Sequence, residues 1–205
     1  MSKRLDRVLS LAIRQDVKQG DQDLHKKFAA CLEGGMHGIG FSPYEEGQQP
    51  GDQLQEEQIL RRMKIIAPFA KWVRSFSCTD GNEVIPKVAH EFGLQTLVGA
   101  WLGEDLEKNE AEIEGLIQTA KLGHVDIAAV GNEVMYRGDL TEQQLLDYIK
   151  RVKEAIPNVP VGYVDAYYEF ENRPKITEAC DVILANCYPF WEGCHLDYSL
   201  LYMKD

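Results

Sequence analysis

The sequence predicts an α/β protein of the (β/α)8 TIM-barrel type, incomplete at about six β/α units and preceded by a helical extension. Three observations carry this. First, a short apolar run, a Gly-rich or polar loop and a helical pattern recur along the chain, as expected for parallel strands joined by right-handed crossovers. Second, no G-x-G-x-x-G or G-x-x-x-x-G-K-[ST] loop follows any apolar run. The nearest approach, His37-Gly38-Ile39-Gly40, continues into Phe41-Ser42-Pro43-Tyr44 and not into a helix start, which disfavours an open nucleotide-binding sheet. Third, polar and aromatic residues gather just past the runs: Ser42 and Tyr44; Ser77, Thr79 and Asp80; Trp101 and Glu104; Asn132 and Glu133; Asp165, Tyr167 and Tyr168; Tyr188, Trp191 and Glu192. In a barrel these strand ends meet at one face, where active sites sit.

Each element follows from its local pattern. Leu5, Val8, Leu9, Ala12 and Ile13 have helical spacing. They predict an amphipathic helix in an N-terminal segment, 1–35, packed on a domain running over 36–205. A membrane-surface helix is the alternative reading of the same pattern. The six apolar runs are 38–41, 72–76, 96–101, 127–131, 159–164 and 182–186, short runs of the kind that fit strands covered on both faces. Between them, Gln55 to Ala67 and Asn82 to Phe92 read as helices, the second stopped by Gly93. Asn109 to Lys121 carries Ile113, Leu116, Ile117 and Ala120 on one face. Thr141 to Ile156 opens with Thr141 and Gln144 at capping-box spacing and stops before Pro157.

Composition narrows the function classes. The chain has 205 residues, 22 Lys+Arg against 33 Asp+Glu, and a formal net charge of −11. A nucleic-acid partner is not expected, because phosphate binding needs a basic footprint. No run approaches the roughly 18 apolar residues of a membrane span, and Leu5 to Ile13 is broken by Asp6, Arg7 and Ser10, so no signal peptide is expected. Five cysteines, an odd number, suggest reduced thiols and a cytoplasmic setting. Cys187, Cys194 and His195 do not have the C-x2-C spacing of a zinc site; no metal or cofactor is expected.

The sharpest chemical signal is Ala129-Val130-Gly131-Asn132-Glu133-Val134, where a buried strand runs straight into Gly-Asn-Glu. An apolar surround disfavours the charged form of a carboxyl, which suits a general acid near neutrality. Glu133 is the candidate acid, and Asn132 a candidate ligand for a substrate hydroxyl. On spacing alone, capping of the following loop by both residues is the favoured reading, ahead of catalysis.

This strand resembles the acid/base strand of glycoside hydrolase family 17, the β-1,3-glucanase family, in its microbial branch. Other segments agree in order: Gly38-Ile39-Gly40-Phe41-Ser42-Pro43-Tyr44, Val73-Arg74-Ser75-Phe76, Leu97-Val98-Gly99-Ala100-Trp101-Leu102, Val161-Gly162-Tyr163-Val164-Asp165-Ala166 and Asn186-Cys187-Tyr188-Pro189-Phe190. The resemblance implies a retaining mechanism on β-1,3-glucan oligosaccharides. Glu133 would be the general acid/base, Asn132 would bind the sugar 2-hydroxyl, and Tyr188 would lie beside the second carboxylate. Tyr44, Trp101, Tyr167 and Trp191 become candidates for stacking on pyranose rings. Glu192 is a candidate hydrogen-bond acceptor for substrate, or simply a solvated loop residue.

A retaining glycosidase needs two carboxyl groups roughly 5–5.5 Å apart. The family's nucleophile, a Glu in a Glu-[Ser/Thr]-Gly-Trp-Pro setting, has no counterpart here. Strand starts recur about every 29 residues, so eight units would run to about residue 270. The expectation is a chain short of two strands and of its nucleophile, inactive by itself. Alternatives are a glucan transglycosylase, a non-catalytic glucan-binding module, or a chain that self-associates through exposed sheet edges.

Overall fold

The computed structural model describes residues 23–204. These form two compact units, one spanning Ala30–Ala185, the other made of residues 23–29 and 186–204. Helix α1 covers Leu24–Glu33. The helix expected over Leu5–Ile13 lies outside the described residues. No described helix is long and apolar enough to cross a membrane.

The larger unit is built on one parallel sheet whose strands follow chain order: β1 (Met36–Gly40), β2 (Ala70–Ser75), β3 (Gln95–Ala100), β4 (Ile127–Asn132), β5 (Val161–Ala166) and β6 (Val182–Asn186). In-order parallel neighbours are the pattern of a barrel wall, here an incomplete one. The helices alternate with the strands: α2 (Glu56–Ile66), α3 (Ile85–Glu91), α4 (Leu106–Lys121), the one-turn α5 (Val134–Arg137), α6 (Glu142–Ala155), α7 (Tyr167–Asn172) and α8 (Pro174–Ala179).

Side-chain alternation decides which strand residues meet the helices. Val98, Ala100, Ala128, Val130, Val161 and Tyr163 join Ile113, Leu116, Leu145 and Ile149 in one core. Val73 joins Ile59, Met63, Ile85 and Val88 in a second. Each Val, Leu, Ile and Met among them stabilises the fold by roughly 1.5–3 kcal/mol on full burial. The residues between them therefore face inward, among them Arg74, Leu97, Ala129 and Gly162. A Cβ at Gly162 would lie 2.5 Å from the Val182 carbonyl oxygen, so only glycine lets β5 and β6 approach this closely.

Helix boundaries follow local chemistry. The capping box of Thr141 and Gln144 is formed as its spacing predicts. Helix α4 starts three residues earlier than its apolar pattern suggests, because Asp105 accepts the Lys108 amide as an N-cap. The expected helix from Asn82 divides into a 3-10 turn, Asn82–Val84, and α3, with Pro86 in the first turn of α3, where its missing N–H costs nothing. Helices α7 and α8 were not visible in the sequence. They are single short stretches broken at Arg173, the residue before Pro174, where the α conformation is disfavoured.

Near the N-terminal strand ends, Asp126 accepts from the Thr96 amide at 2.7 Å and meets His90 Nε2 at 3.0 Å. Burial pushes the Asp126 carboxyl up, but the hydrogen bonds from His90 and Thr96 outweigh it and hold it below the usual carboxylate range.

Candidate active site

The C-terminal end of β4 is shaped by a register shift. Ala129 pairs with Gly162, yet Asn132 pairs with Val164. The extra residue in β4 is a bulge, a device that re-aims the side chains after it. Glu133 then adopts φ 54° and ψ 29° as the N-cap of α5. A left-handed backbone is uncommon for a residue other than glycine. The Glu133 amide is held by the Val164 carbonyl at 2.7 Å.

Capping of α5 is supplied from β5. The Glu133 side chain makes no capping hydrogen bond. Instead Tyr163 Oη accepts the Met135 amide at 2.9 Å, and Asp165 Oδ2 accepts the Tyr136 amide at 3.3 Å. The Tyr163 hydroxyl in turn donates to Asp165. Both side chains are wholly buried. Burial pushes the Asp165 carboxyl above its usual range, against the pull of its hydrogen bonds, and pushes the Tyr163 hydroxyl up as well.

Asn132 is gripped at its amide. Arg74 Nη2, reaching from β2 across β3, donates to Asn132 Oδ1 at 2.5 Å. A guanidinium has no acceptor, so this bond fixes the amide orientation and commits Nδ2 as a donor. The Arg74 guanidinium also sits 4.5 Å from the centre of the Phe76 ring, a cation–π contact. Arg137 donates to the Asn132 carbonyl.

A cavity of about 300 Å³ opens between the ends of β1, β2 and β3. Tyr44, Phe76 and Trp101 give it aromatic walls, and Asp80, Asn82 and Lys108 its polar ones. Tyr44 Oη accepts from Asn82 Nδ2 at 3.3 Å. Glu112, on α4, closes the cavity floor and is wholly buried. Its Oε2 accepts the amides of Cys78 at 2.7 Å and Trp101 at 3.1 Å. Its Oε1 accepts the hydroxyls of Ser77 at 2.5 Å and Thr79 at 2.7 Å. One carboxylate thus ties the loop after β2 to the loop after β3.

The structure brings Asn132, Glu133, Tyr44 and Trp101 to the strand ends of the larger unit. Tyr167 begins α7, its ring edge-on to Tyr168 at 5.3 Å between centroids. Tyr188, Trp191 and Glu192 belong to the smaller unit. There Phe190 and Trp191 meet edge to face at 5.6 Å and stand 81% and 79% exposed. Tyr202, on helix α9 (Ser199–Lys204), donates to Glu192. That bond places Glu192 in a local tie within the smaller unit.

Arg74, Glu112, Arg137 and Tyr163 were not singled out by sequence reasoning, and Asp165 only as one of the polar residues past the fifth apolar run. Glu112 had a usable signal. With Asn109, Ile113 and Leu116 it keeps the i, i+3, i+4, i+7 spacing of one helix face, and a carboxylate on an apolar stripe calls for partners. Asp165 offered a weaker one, as the last polar residue of an otherwise apolar strand.

Residues 38–204 match the model of the BtgE/BtgC glycoside hydrolase domain. The chain is 26% identical over 172 residues to a glucan 1,3-beta-glucosidase of Arthroderma benhamiae, covering 80% of this chain and 54% of that protein. It is 28% identical over 152 residues to a glucan 1,3-beta-glucosidase of Schizosaccharomyces pombe, covering 67% and 47%. It thus spans about half the length of these curated relatives. Among solved structures, it resembles a family 17 beta-1,3-glucanosyltransferase from Rhizomucor miehei with TM-score 0.71 and 25% identity, over 82% of this chain and 63% of that one. An active-site mutant of that enzyme in complex with laminaritriose gives TM-score 0.65 and 27% identity, over 77% and 59%. The strand order, the Gly-Asn-Glu turn after β4 and these matches agree: the chain belongs to glycoside hydrolase family 17.

Proposed function

We propose that the chain carries the acid/base half of a retaining active site for β-1,3-glucan oligosaccharides. The observation that carries this is the turn after β4. Glu133 is set there by a bulge and a β5 cap, beside an Asn132 whose amide Arg74 fixes as a donor. Glu133 protonates the glycosidic oxygen and then activates the incoming water or acceptor sugar. Asn132 Nδ2 bonds the 2-hydroxyl of the sugar at the cleavage point. Tyr44 and Trp101 supply apolar faces matched to pyranose C–H groups. Tyr167, Tyr188, Trp191 and Glu192 are assigned to substrate contacts on the strength of the family resemblance alone. The names of the relatives, glucosidases and a glucanosyltransferase, support a glucan substrate and leave both outcomes of the intermediate open.

The 205 residues lack the Glu-[Ser/Thr]-Gly-Trp-Pro setting of the family's nucleophile. We therefore expect this chain by itself to bind laminari-oligosaccharides without turning them over. Calorimetry with laminaritriose, and chromatography following both reducing ends and longer products, test the two halves of the proposal. No binding refutes the glucan reading. Turnover that is lost on Glu133→Gln refutes the expected inactivity while supporting the role of Glu133.

A second reading, a glucan-binding chain that self-associates, is favoured by the sheet margins. His37, Gly38 and Gly40 on β1 and Ile183 and Ala185 on β6 are exposed, and exposed edges invite pairing. Light scattering that shows only monomer counts against it. A cytoplasmic setting is proposed on the odd cysteine count alone; fractionation of the tagged protein checks it.

A further inference from the structure

Arg137 has no part in the chemistry described above, yet it makes more contacts at the strand ends than any role there requires. It closes the one-turn helix α5, with its amide bonded to the Glu133 carbonyl at 2.9 Å. Its side chain spreads over three anchors. Nη1 donates to the Asn132 carbonyl, at the end of β4. Nη2 donates to the Leu102 carbonyl at 2.9 Å, just past β3. Nε donates to Asp139 Oδ2 at 2.7 Å, and that carboxylate also lies 2.6 Å from Nη2. The guanidinium carbon then stands 4.8 Å from the centre of the Trp101 ring. Only 27% of the Arg137 side chain and 15% of that of Asp139 are exposed.

This arrangement exploits what distinguishes arginine from lysine. The planar fork bonds two carbonyls and a carboxylate while its flat face covers an indole. A lysine ammonium can keep the charge over the ring, or reach one carbonyl, but cannot hold both strand ends in a fixed relation. Trp101 is 39% exposed and borders the cavity, so the ring has a guanidinium on one side and open space beside it.

We propose that Arg137 is a positioning residue that acts through Trp101. It holds the indole as a rigid platform and keeps it in register with the Asn132–Glu133 turn, so that a glucose ring stacked on Trp101 is presented to Asn132. This rests on the glucan reading above and adds the element that couples the stacking platform to the acid/base turn.

The test uses the 205-residue chain, laminaritriose as probe, and calorimetry on wild type, Arg137→Ala, Arg137→Lys, Trp101→Ala and the Arg137→Ala/Trp101→Ala double variant. Thermal melts establish that each is folded, and Arg137→Gln replaces the alanine variant if that does not fold. Arg137→Ala is expected to weaken binding about tenfold, and Arg137→Lys to recover about a third of that loss, through the cation–π contact alone. In the Trp101→Ala background, losing Arg137 is expected to cost less than about twofold, because the group it acts through is gone. The indole N–H resonance of Trp101 in the unliganded protein is expected to be sharp in wild type and broadened in Arg137→Ala.

Unchanged affinity in a folded Arg137→Ala, or single losses that simply multiply in the double variant, overturn the proposal while leaving the glucan reading intact. Failure of the wild type to bind laminaritriose removes the glucan reading instead. The indole resonance then decides the role of Arg137: an unchanged line in Arg137→Ala overturns it, and a broadened one upholds its hold on Trp101.

Discussion

Glu112 offers the most direct test of how the strand ends are held. Its two oxygens divide the work: one accepts two backbone amides, Cys78 and Trp101, and the other accepts two hydroxyls, Ser77 and Thr79. Glu112→Ala leaves both amides without an acceptor in a wholly buried site. Each stranded donor costs ~1–3 kcal/mol, so the amides alone give about 2–6 kcal/mol. The space left by the side chain adds to that loss. Glu112→Gln behaves differently. Its carbonyl oxygen can serve both amides, and its NH2 can donate to the two hydroxyls, which rotate to accept. The charge assistance is lost, so we expect about 1 kcal/mol. Urea unfolding of the three proteins, read by tryptophan fluorescence, gives the comparison. Glutamine as damaging as alanine would refute the division of roles between the two oxygens. An alanine variant within about 1 kcal/mol of wild type would refute the tie itself.

Three further outcomes follow from the geometry. Gly115→Ala places a Cβ 2.2 Å from the Cys78 carbonyl oxygen, so α4 must shift off the loop after β2; a loss of about 1–3 kcal/mol is expected, read as a lower melting temperature. Tyr163→Phe removes the acceptor of the Met135 amide and the donor to Asp165; about 1–3 kcal/mol is expected, with faster hydrogen exchange at Met135 than in wild type. Asp126 has a folded-state carboxyl held below its unfolded value, so its stabilising contribution is present above the unfolded pKa of about 3.9 and is lost as pH falls through the lower folded value. The advantage of wild type over Asp126→Asn should therefore be full at pH 6 and shrink below about pH 4; an advantage that grows on acidification would contradict the sign.

Strands and long helices were legible because their signals are local. Val182–Asn186 begins and ends where its apolar run does, and Thr141–Gln144 announces its helix by a cap written in four residues. The place of Glu133 was legible for a related reason: the apolar run of β4 ends directly in Gly-Asn-Glu, which puts a carboxylate just past a strand end. What the sequence hid was the support around that residue. Arg74 reads as a polar interruption of a strand, and its partner is 58 positions away. Arg137 reads as an ordinary charge at the end of a short helix, yet it bonds Leu102, 35 positions back. Periodicity reports which face a residue occupies, not what it meets across the sheet. The β4 bulge was hidden too, since an extra residue in a buried strand leaves the apolar run looking unbroken.

The ties at the strand ends bear on how such a protein can be altered by recombination. Barrel chains are built of repeated units, and a repeated unit invites exchange between relatives. Here Arg74 joins the second unit to the fourth, Glu112 joins the second to the third, and Arg137 joins the fourth to the third. A unit transplanted from a relative would bring its own strand and helix, but would sever whichever of these links crossed the splice. The stretch from β2 to β4 is therefore best exchanged as one block, with its three ties kept together.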